Sequence, residues 1–509
     1  MYTKFYVYKS LQPGHIRLLR IEPWDESDSS AENELLHISL KEHPLVGADF
    51  DALSYTWGPS TLEEEEDDAA QVFTAVRQCY PIASPDGIIL VTKSLRNALL
   101  RVRDFQKPDT TPGIDRPRYL WADGVCINQE DQAEKSQQVA MMAKLYETAN
   151  FVLSYVGEAD DRALNGLQLA LQLTEIGHAT YGDADDSDSL KLLNISDLAD
   201  HEFWARFGLQ IPSTRQWSDW AMFFSRSFFA RTWILQESIL GSKHENENIL
   251  ILCGYVTVPM RDVIASLHLV SIARWGGTIA ATLEKSNDID RTYRLYSNYL
   301  GIRYEGYGNH PYVWVRKSAW PQAYVSLYMA KVHLLPFTYC SDPRDKVYGT
   351  LGFVSEWQES DTGRQVLTID YSLPVSELYC RATKHAIHKN MNLDMLSTVG
   401  YTIQQEVDHD LPSWCPEYDS STTIPDPLMP EHGGSDTDFS AAGESHYRIP
   451  GSWNSTSHRK LKVKGCCIDV VRGNSSRESS VAFSEYMVEV LQLLLEFVEE
   501  VQDWNTDTK

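Results

Sequence analysis

The stretch from Tyr119 to Gly157 constrains the fold of this chain more than any other. It begins and ends with short apolar runs, at 119–122 and 151–156, and apolar residues recur at helical spacing between them. A strand, a helix and a second strand form a βαβ unit, in which the two strands run parallel. We therefore expect an α/β fold with a mostly parallel sheet flanked by helices.

The residues that follow the first of these strands are polar and are candidates for function. Asp123 and Gly124 end the strand, and Asn128 stands where a helix N-cap is expected. Ligands of open α/β sheets bind beyond the carboxyl ends of the strands. Asp123 and Asn128 are therefore either helix caps or ligand contacts at that edge.

Three more strands are expected before this unit. The runs at 16–21 and 35–40 are predicted to pair as an antiparallel hairpin at the edge of the sheet. The next run, ALSYT, ends at Trp57 and Gly58, and a proline follows. If this strand is parallel to the one at 119–122, Trp57 and Gly58 share an edge with Asp123. Trp57 is then either a core aromatic or a ligand contact.

Composition narrows the classes of protein. The chain has 509 residues and a formal net charge of −26, which argues against nonspecific nucleic-acid binding. No apolar run approaches the roughly 20 residues of a membrane span, and the start of the chain has no apolar signal core, so we expect a cytoplasmic location. The eight cysteines form no C-x-x-C pair, which favours reduced thiols over zinc ligands, and no metal site is expected. Nucleotide-binding P-loops, dinucleotide fingerprints and hydrolase elbows are absent from the sequence.

Three blocks of the sequence together resemble the fungal heterokaryon-incompatibility (HET) domain. They are ALSYTWG at 52–58, the βαβ stretch at 119–157 with its C-I-N-Q and E-K-x-x-Q-V strings, and 217–241, which contains W-I-L-Q-E. Ser227-Phe228 stands where the family more often has Pro-Trp. The resemblance implies a HET domain over 1–260. The residue pattern predicts a mostly helical region over 261–509, with a polar loop near 420–454. Within that region the block at 341–354 resembles one often found downstream in HET proteins.

The family resemblance also implies a chemistry. HET domains resemble Toll/interleukin-receptor (TIR) domains, which are flavodoxin-like, and W-I-L-Q-E has the Trp-to-Glu interval of the catalytic block of enzymatic TIR domains. Glu237 is thus the expected catalytic residue, with NAD as a substrate and no resident cofactor. The expected substrate-binding residues are Trp57, Gly58, Asp123, Asn128, Arg231 and Trp233.

Two alternatives stay open at this point. Glu237 is either catalytic or joined to Arg231 in a structural ion pair. The protein is either an enzyme of regulated cell death and non-self recognition, or a non-enzymatic module that self-associates on activation, with other incompatibility proteins as partners. A third reading is a degenerate relative with neither activity.

Overall fold

The structure is a computed structural model, and all of its described residues belong to one compact unit of the chain. The described residues are 4–22, 35–59, 80–106, 119–181, 193–241, 248–284, 326–335, 338–357, 367–390, 392–399, 411–412 and 414–419. The predicted polar loop near 420–454 lies outside them.

A nine-stranded mixed sheet forms the centre of the described fold. Its strands are β1 (His15–Ile21), β2 (Leu36–Pro44), β3 (Asp51–Tyr55), β4 (Tyr80–Ser84), β5 (Gly87–Val91), β6 (Leu120–Trp121), β7 (Val152–Gly157), β8 (Ile249–Cys253) and β9 (Val256–Pro259). Their order across the sheet is β5-β4-β2-β1-β6-β3-β7-β8-β9. The consecutive strands β6, β3, β7 and β8 are parallel to one another, whereas the pairs toward either edge are largely antiparallel.

Helices flank this sheet and follow it along the chain. Those described are α1 (Lys93–Phe105), α2 (Asp123–Cys126), α3 (Gln132–Thr148), α4 (Asp161–Tyr181), α5 (His201–Arg206), α6 (Thr214–Phe224), α7 (Trp233–Gly241), α8 (Met260–Ile272), α9 (Gly276–Glu284), α10 (Leu327–His333), α11 (Asp345–Tyr348) and α12 (Val375–Asn390). Helix α3 packs against α7, and α4 packs against α6 and α8. The α/β class predicted from the sequence is confirmed.

Strand β3 lies at the centre of the parallel group, between β6 and β7. All five of its residues are buried, as is typical of a strand covered on both faces. The strands β6 and β7 of the predicted βαβ unit are parallel as expected, but they are not neighbours. The pairing of β3 with both of them was not visible in the local pattern.

The predicted edge position of the first hairpin is wrong. Strands β1 and β2 do pair in antiparallel fashion, but β1 also pairs with β6, and the β4–β5 hairpin extends the sheet beyond β2. The physical reason lies in β1, where Ile16, Leu18 and Leu19 are each at most 1% exposed. A strand with successive apolar residues needs cover on both faces and therefore lies inside the sheet.

The predicted N-cap is also wrong. Helix α3 is capped by Asp131, whose carboxylate accepts hydrogen bonds from the N–H groups of Ala133 and Glu134. The additional helical turn α2 occupies the residues after Asp123 and moves the start of the long helix along the chain. Asn128 lies in the loop between the two helices, where its side-chain oxygen accepts a hydrogen bond from the Glu130 N–H at 3.3 Å.

The described helices and side chains can be compared with the predictions that the chain has no membrane span and no metal site. Among the helices in the described part of the chain, none combines the length and the apolar character needed to cross a bilayer. Within the same residues no three His, Cys, Asp or Glu side chains are grouped as a metal site requires. Among the described residues, Cys126, Cys253, Cys340, Cys380 and Cys415 are free thiols.

Candidate functional site

The carboxyl ends of β3 and β6 bring the first two sequence blocks together. The two strands are parallel neighbours, so the loops that follow them leave from the same edge of the sheet. Trp57 follows β3, and its Nε1 donates a hydrogen bond of 2.9 Å to Oδ2 of Asp123, which follows β6. The other oxygen of Asp123 accepts the Gly124 N–H at 2.6 Å. Trp57 and Asp123 are both partly exposed and lie on one edge of the sheet.

Gly124 permits this close approach. A Cβ added at Gly124 would lie 2.5 Å from the hydroxyl oxygen of Tyr55 and 2.9 Å from Cδ2 of Leu95. Both distances are shorter than real Cβ contacts, so a larger residue would push α2 away from β3. The glycine therefore helps to hold the carboxylate of Asp123 beside the end of β3.

Glu237 lies on α7, in the interior next to β3, and is only 2% exposed. The Ser54 hydroxyl on β3 donates a hydrogen bond to Oε2 of Glu237. Arg231 approaches the same oxygen, with its Nη1 3.7 Å away. The first and third sequence blocks therefore meet at this carboxylate. Ser54 was not among the site residues predicted from the sequence. The one indication of a role is that this polar residue stands between the apolar residues Leu53 and Tyr55 of β3.

The electrostatics of the site follow from burial. Burial raises the pKa of Glu237, while the charge of Arg231 and the Ser54 hydroxyl act in the opposite direction. Burial alone would lower the pKa of Arg231, but the charges of Glu237 and Asp123 outweigh it and the pKa is raised. Burial and the charge of Glu237 raise the pKa of Tyr146 well above its ordinary value. Ser54, Asp123, Tyr146, Arg231 and Glu237 are called the Glu237 cluster below.

Arg231 is the partly exposed member of its ion pair. Its side chain is 18% exposed, against 3% for that of Glu237, so the guanidinium lies nearer to solvent than the carboxylate. The Nη1 atom itself is buried and has no hydrogen-bond partner among the described residues. Buried polar groups normally have partners, and a charged N–H group without one is suited to bind an anion or a polar oxygen of a ligand.

The ion pair that was the structural alternative for Glu237 is present. A spacing of six residues is unfavourable within one helix, but Arg231 precedes α7 instead of lying in it. The pair therefore joins the turn before the helix to its second turn. Its presence does not by itself separate a structural role from a catalytic one.

The turn that precedes Arg231 is fixed to two strand ends. It is the 3-10 helix Ser227–Ala230, and Arg231 is its C-cap. The buried Arg226 just before it donates hydrogen bonds to the carbonyl oxygens of Val156 at 3.1 Å and Glu158 at 2.9 Å. The Ser227 hydroxyl donates to the Pro59 carbonyl oxygen at 2.5 Å. This bond restrains the turn against the loop that follows β3.

Two predicted contacts have their partners outside the Glu237 cluster. The Asn128 N–H donates to Oε1 of Glu134 at 2.8 Å, so Asn128 is tied to the start of α3. Trp233 interacts with the Asp345 carboxyl group and acts to lower its pKa, which burial raises. Gly58, in contrast, lies beside Trp57, and among the described residues no heavy atom lies within 4 Å of the place where its Cβ would stand.

Comparisons with known proteins agree with this assembly of blocks. A family model described as heterokaryon incompatibility protein (HET) matches residues 50–237, a range that contains the whole Glu237 cluster. The protein named Heterokaryon incompatibility protein 6, OR allele, from Neurospora crassa is 25% identical over 491 residues, covering 90% of this chain. The chain spans 64% of the length of that relative. Comparison with solved structures gave no significant match.

The matched range begins just before β3 and ends at Glu237. It includes the first two blocks and the third block as far as Glu237, but not β1, β2, β8 or β9 of the same sheet. The order of the blocks, their convergence at one carboxylate and the family match point to the same assignment. Residues 50–237 of this chain match the heterokaryon-incompatibility (HET) domain.

Proposed function

We propose that this protein acts in heterokaryon incompatibility in a filamentous fungus, as a cytoplasmic protein that triggers regulated cell death on non-self recognition. The HET domain and the curated relative named as an incompatibility protein support this role. Because the chain spans only part of that relative, the role is carried over as a hypothesis for this chain.

For the chemistry, we propose a TIR-like cleavage of NAD. Water would add to the anomeric carbon of the nicotinamide riboside, and nicotinamide would leave with the electron pair of the N-glycosidic bond, giving ADP-ribose, nicotinamide and a proton. Negative charge stabilises the positive charge that develops on the ribose in the transition state. Glu237 supplies that charge, and the Ser54 hydroxyl favours its ionised form.

The neighbouring residues suit the remaining parts of the substrate. Trp57 offers an aromatic face at the edge, beside the open space at Gly58. Asp123 is suited to ribose hydroxyls, and Nη1 of Arg231, which is ion-paired with Glu237 but makes no hydrogen bond in the described structure, is suited to a phosphate. Trp233 is a second stacking candidate. Asn128 would contact the substrate only if it gave up its present hydrogen bonds in the loop between α2 and α3.

The burial of Glu237 sets a condition on this proposal. At 2% exposure the carboxylate cannot touch a ribose in this conformation. Arg231 is the more exposed member of the ion pair, and its Nη1 lies 3.7 Å from the Glu237 carboxylate. The Arg231 side chain must therefore move when substrate binds. A phosphate that pairs with Arg231 in place of Glu237 would provide the compensating contact.

The same burial supports a second candidate function. A carboxylate that bonds Ser54 and pairs with Arg231 joins two sequence blocks, which is sufficient reason for its presence in a scaffold. On that reading the HET domain acts by self-association on activation, with other incompatibility proteins as partners and without turnover.

The experiment that separates the two functions uses the full chain, purified and concentrated or crowded, with NAD as the probe. Release of nicotinamide is measured for the wild type, for Glu237→Gln and for the matched control Glu147→Gln, an exposed carboxylate on α3. Turnover that is lost only in Glu237→Gln supports the enzyme. If no condition gives turnover and Glu237→Gln remains toxic when expressed in a fungal host, the scaffold is supported instead.

A further inference from the structure

A segment outside the family match packs against the third sequence block. Residues 338–352, called the downstream segment, contain α11 and lie about one hundred residues beyond Glu237 in the chain. Their contacts with 230–240 involve backbone hydrogen bonds, buried side chains and close backbone packing. Each kind of contact falls next to a residue of the candidate site.

The first contact encloses Arg231. The Tyr339 N–H donates to the Ala230 carbonyl oxygen at 2.5 Å, and the Thr232 N–H donates to the Tyr339 carbonyl oxygen at 3.0 Å. Arg231 and Tyr339 thus form an isolated parallel bridge, with a bond on either side of Arg231. The backbone from which the arginine side chain extends is therefore positioned by the downstream segment.

The second contact holds Tyr339 in place. Lys346, at 3% exposure, donates from its Nζ to the Leu335 carbonyl oxygen at 2.7 Å and to both oxygens of Thr338, with 3.2 Å to the hydroxyl. The Thr232 hydroxyl in turn donates to the Thr338 hydroxyl oxygen at 3.0 Å. A buried ammonium group with three acceptors is an expensive feature that requires these partners. It restrains the residue immediately before the bridge.

The third contact involves Trp233. The Asp345 carboxylate, adjacent to Lys346 on α11, accepts a hydrogen bond of 2.8 Å from the Tyr371 hydroxyl. Burial raises the pKa of Asp345, and the Trp233 side chain acts in the opposite direction. Helix α11 thus interacts with Trp233 through Asp345 and, through Lys346, holds Thr338, to which Thr232 donates.

The fourth contact is close packing at the other end of the segment. The Gly352 N–H donates to Oε1 of Gln236 at 3.3 Å. A Cβ at Gly352 would lie 2.4 Å from Cδ1 of Leu240 and 3.0 Å from Cβ of Ala143. The downstream segment therefore follows α7 closely over the turns that carry Glu237.

We propose that the downstream segment positions Arg231 and Trp233 beside Glu237, so that residues outside 50–237 complete the candidate site. The inference rests on the proposed function for its consequence in catalysis or signalling, but its structural content is independent of that function. Thr338, Asp345 and Lys346 are positioning residues: they act through Arg231 and Trp233 and touch no substrate.

The test is amide hydrogen exchange of the full chain, measured by mass spectrometry on peptides that cover 228–237. In Thr338→Val the hydroxyl that accepts from Thr232 and Lys346 is removed at nearly constant volume. We expect the Thr232 amide to exchange about tenfold faster, the effect of one lost hydrogen bond, while amides of β7 do not change. Thr338→Ser retains the hydroxyl and should restore slow exchange.

Thr350→Val is the matched control. Thr350 is also buried in the downstream segment, but its hydroxyl bonds Val347 and Trp357 and does not touch the third block. Lys346→Met is the stronger variant and should loosen 230–233 further. Unchanged exchange at 230–233 in folded Thr338→Val, or equal acceleration in Thr350→Val, overturns the proposal.

Activity gives an independent reading. If the wild type releases nicotinamide, Thr338→Val should lower kcat and Thr338→Ser should recover it, with Thr350→Val unaffected. If the wild type releases none, the enzymatic proposal fails while the exchange result still decides whether the downstream segment positions Arg231. The two failures are thus distinguishable.

Discussion

Two buried Arg–Glu pairs lie in the same domain and are built in different ways. Arg17 and Glu134 form a two-pronged pair, with Nη1–Oε1 at 2.5 Å and Nη2–Oε2 at 2.9 Å. Glu134 also accepts the Asn128 N–H, and Arg17 also donates to the Cys126 carbonyl oxygen at 3.0 Å. Both ends of this pair therefore have several partners.

The pair of Arg231 and Glu237 is incomplete by comparison. Nη1 of Arg231 lies 3.7 Å from Oε2 of Glu237, and this nitrogen has no hydrogen-bond partner in the described structure. Burial raises the pKa of Glu237, so its charge is poorly compensated. A buried pair with all its bonds made serves the fold, whereas one with unused bonding capacity at the edge of a sheet is suited to a ligand.

This difference is not visible in the family string. Glu134 and Glu237 both belong to blocks that resemble the HET domain, and both face an arginine. Glu134 connects α3 to β1 through its ion pair with Arg17, which is a structural role. Glu237 remains the candidate for function. Substitutions in one ion pair and then in the other test this difference.

The largest effect is expected at the complete pair. Glu134→Ala leaves the Arg17 guanidinium buried at 3% exposure without its main partner. Removing one member of a buried ion pair typically costs about 3–5 kcal/mol, so we expect the free energy of unfolding to fall by about that amount. Urea unfolding of the full chain, followed by circular dichroism, measures it. A loss below about 1 kcal/mol would show that this pair is not the structural one.

A smaller effect is expected at the incomplete pair. Glu237→Gln removes a poorly compensated charge and keeps an acceptor for Ser54, so the free energy of unfolding at pH 7 should change by less than about 1 kcal/mol. Its pH dependence is the sharper measurement. Because the pKa of Glu237 is raised on folding, the folded wild type binds this proton more tightly than the unfolded chain.

The sign follows from that tighter binding. The stabilisation of the wild type by protonated Glu237 is complete below the ordinary glutamate pKa of about 4.3 and is lost as the pH rises through the raised value. Glu237→Gln lacks this contribution, so the variant should gain stability relative to the wild type between pH 4 and 7. Urea unfolding of both proteins across that range measures the difference, and a difference that stays constant or changes in the opposite direction contradicts the raised pKa.

Much of the local structure could be predicted from the sequence. Thr92 precedes α1 in the sequence as an N-cap residue, and its hydroxyl accepts the Leu95 N–H at 3.1 Å. The apolar residues that recur at helical spacing in α1, Leu95, Ala98, Leu99 and Val102, are buried. Such features depend on residues a few positions apart, which periodicity and capping rules describe. The shared edge of Trp57 and Asp123 was also predictable, since it needs only that two strands be parallel.

The long-range partners could not be predicted. Ser54 and Glu237 are 183 positions apart, and Arg17 and Glu134 are 117 apart. No local period encodes such a contact, which depends on the insertion of β3 between β6 and β7 and on the interior place of β1. The sequence thus indicated Glu237 and Arg231 as candidate site residues. It indicated neither Ser54, which joins Glu237 to the first block, nor the role of the downstream segment.

The smallest effect is expected at an exposed pair, and it tests whether distance alone explains the comparison. Lys144 and Glu147 on α3 approach to 2.9 Å, closer than Arg231 and Glu237, but their side chains are 64% and 57% exposed. Water screens such charges, and exposed pairs contribute about 0–1 kcal/mol. Lys144→Ala should therefore change the free energy of unfolding by less than about 0.5 kcal/mol in the same urea experiment. A cost comparable to that of Glu134→Ala would mean that short contacts stabilise this domain whatever their burial, and the distinction between a complete and an incomplete buried pair would lose its physical basis.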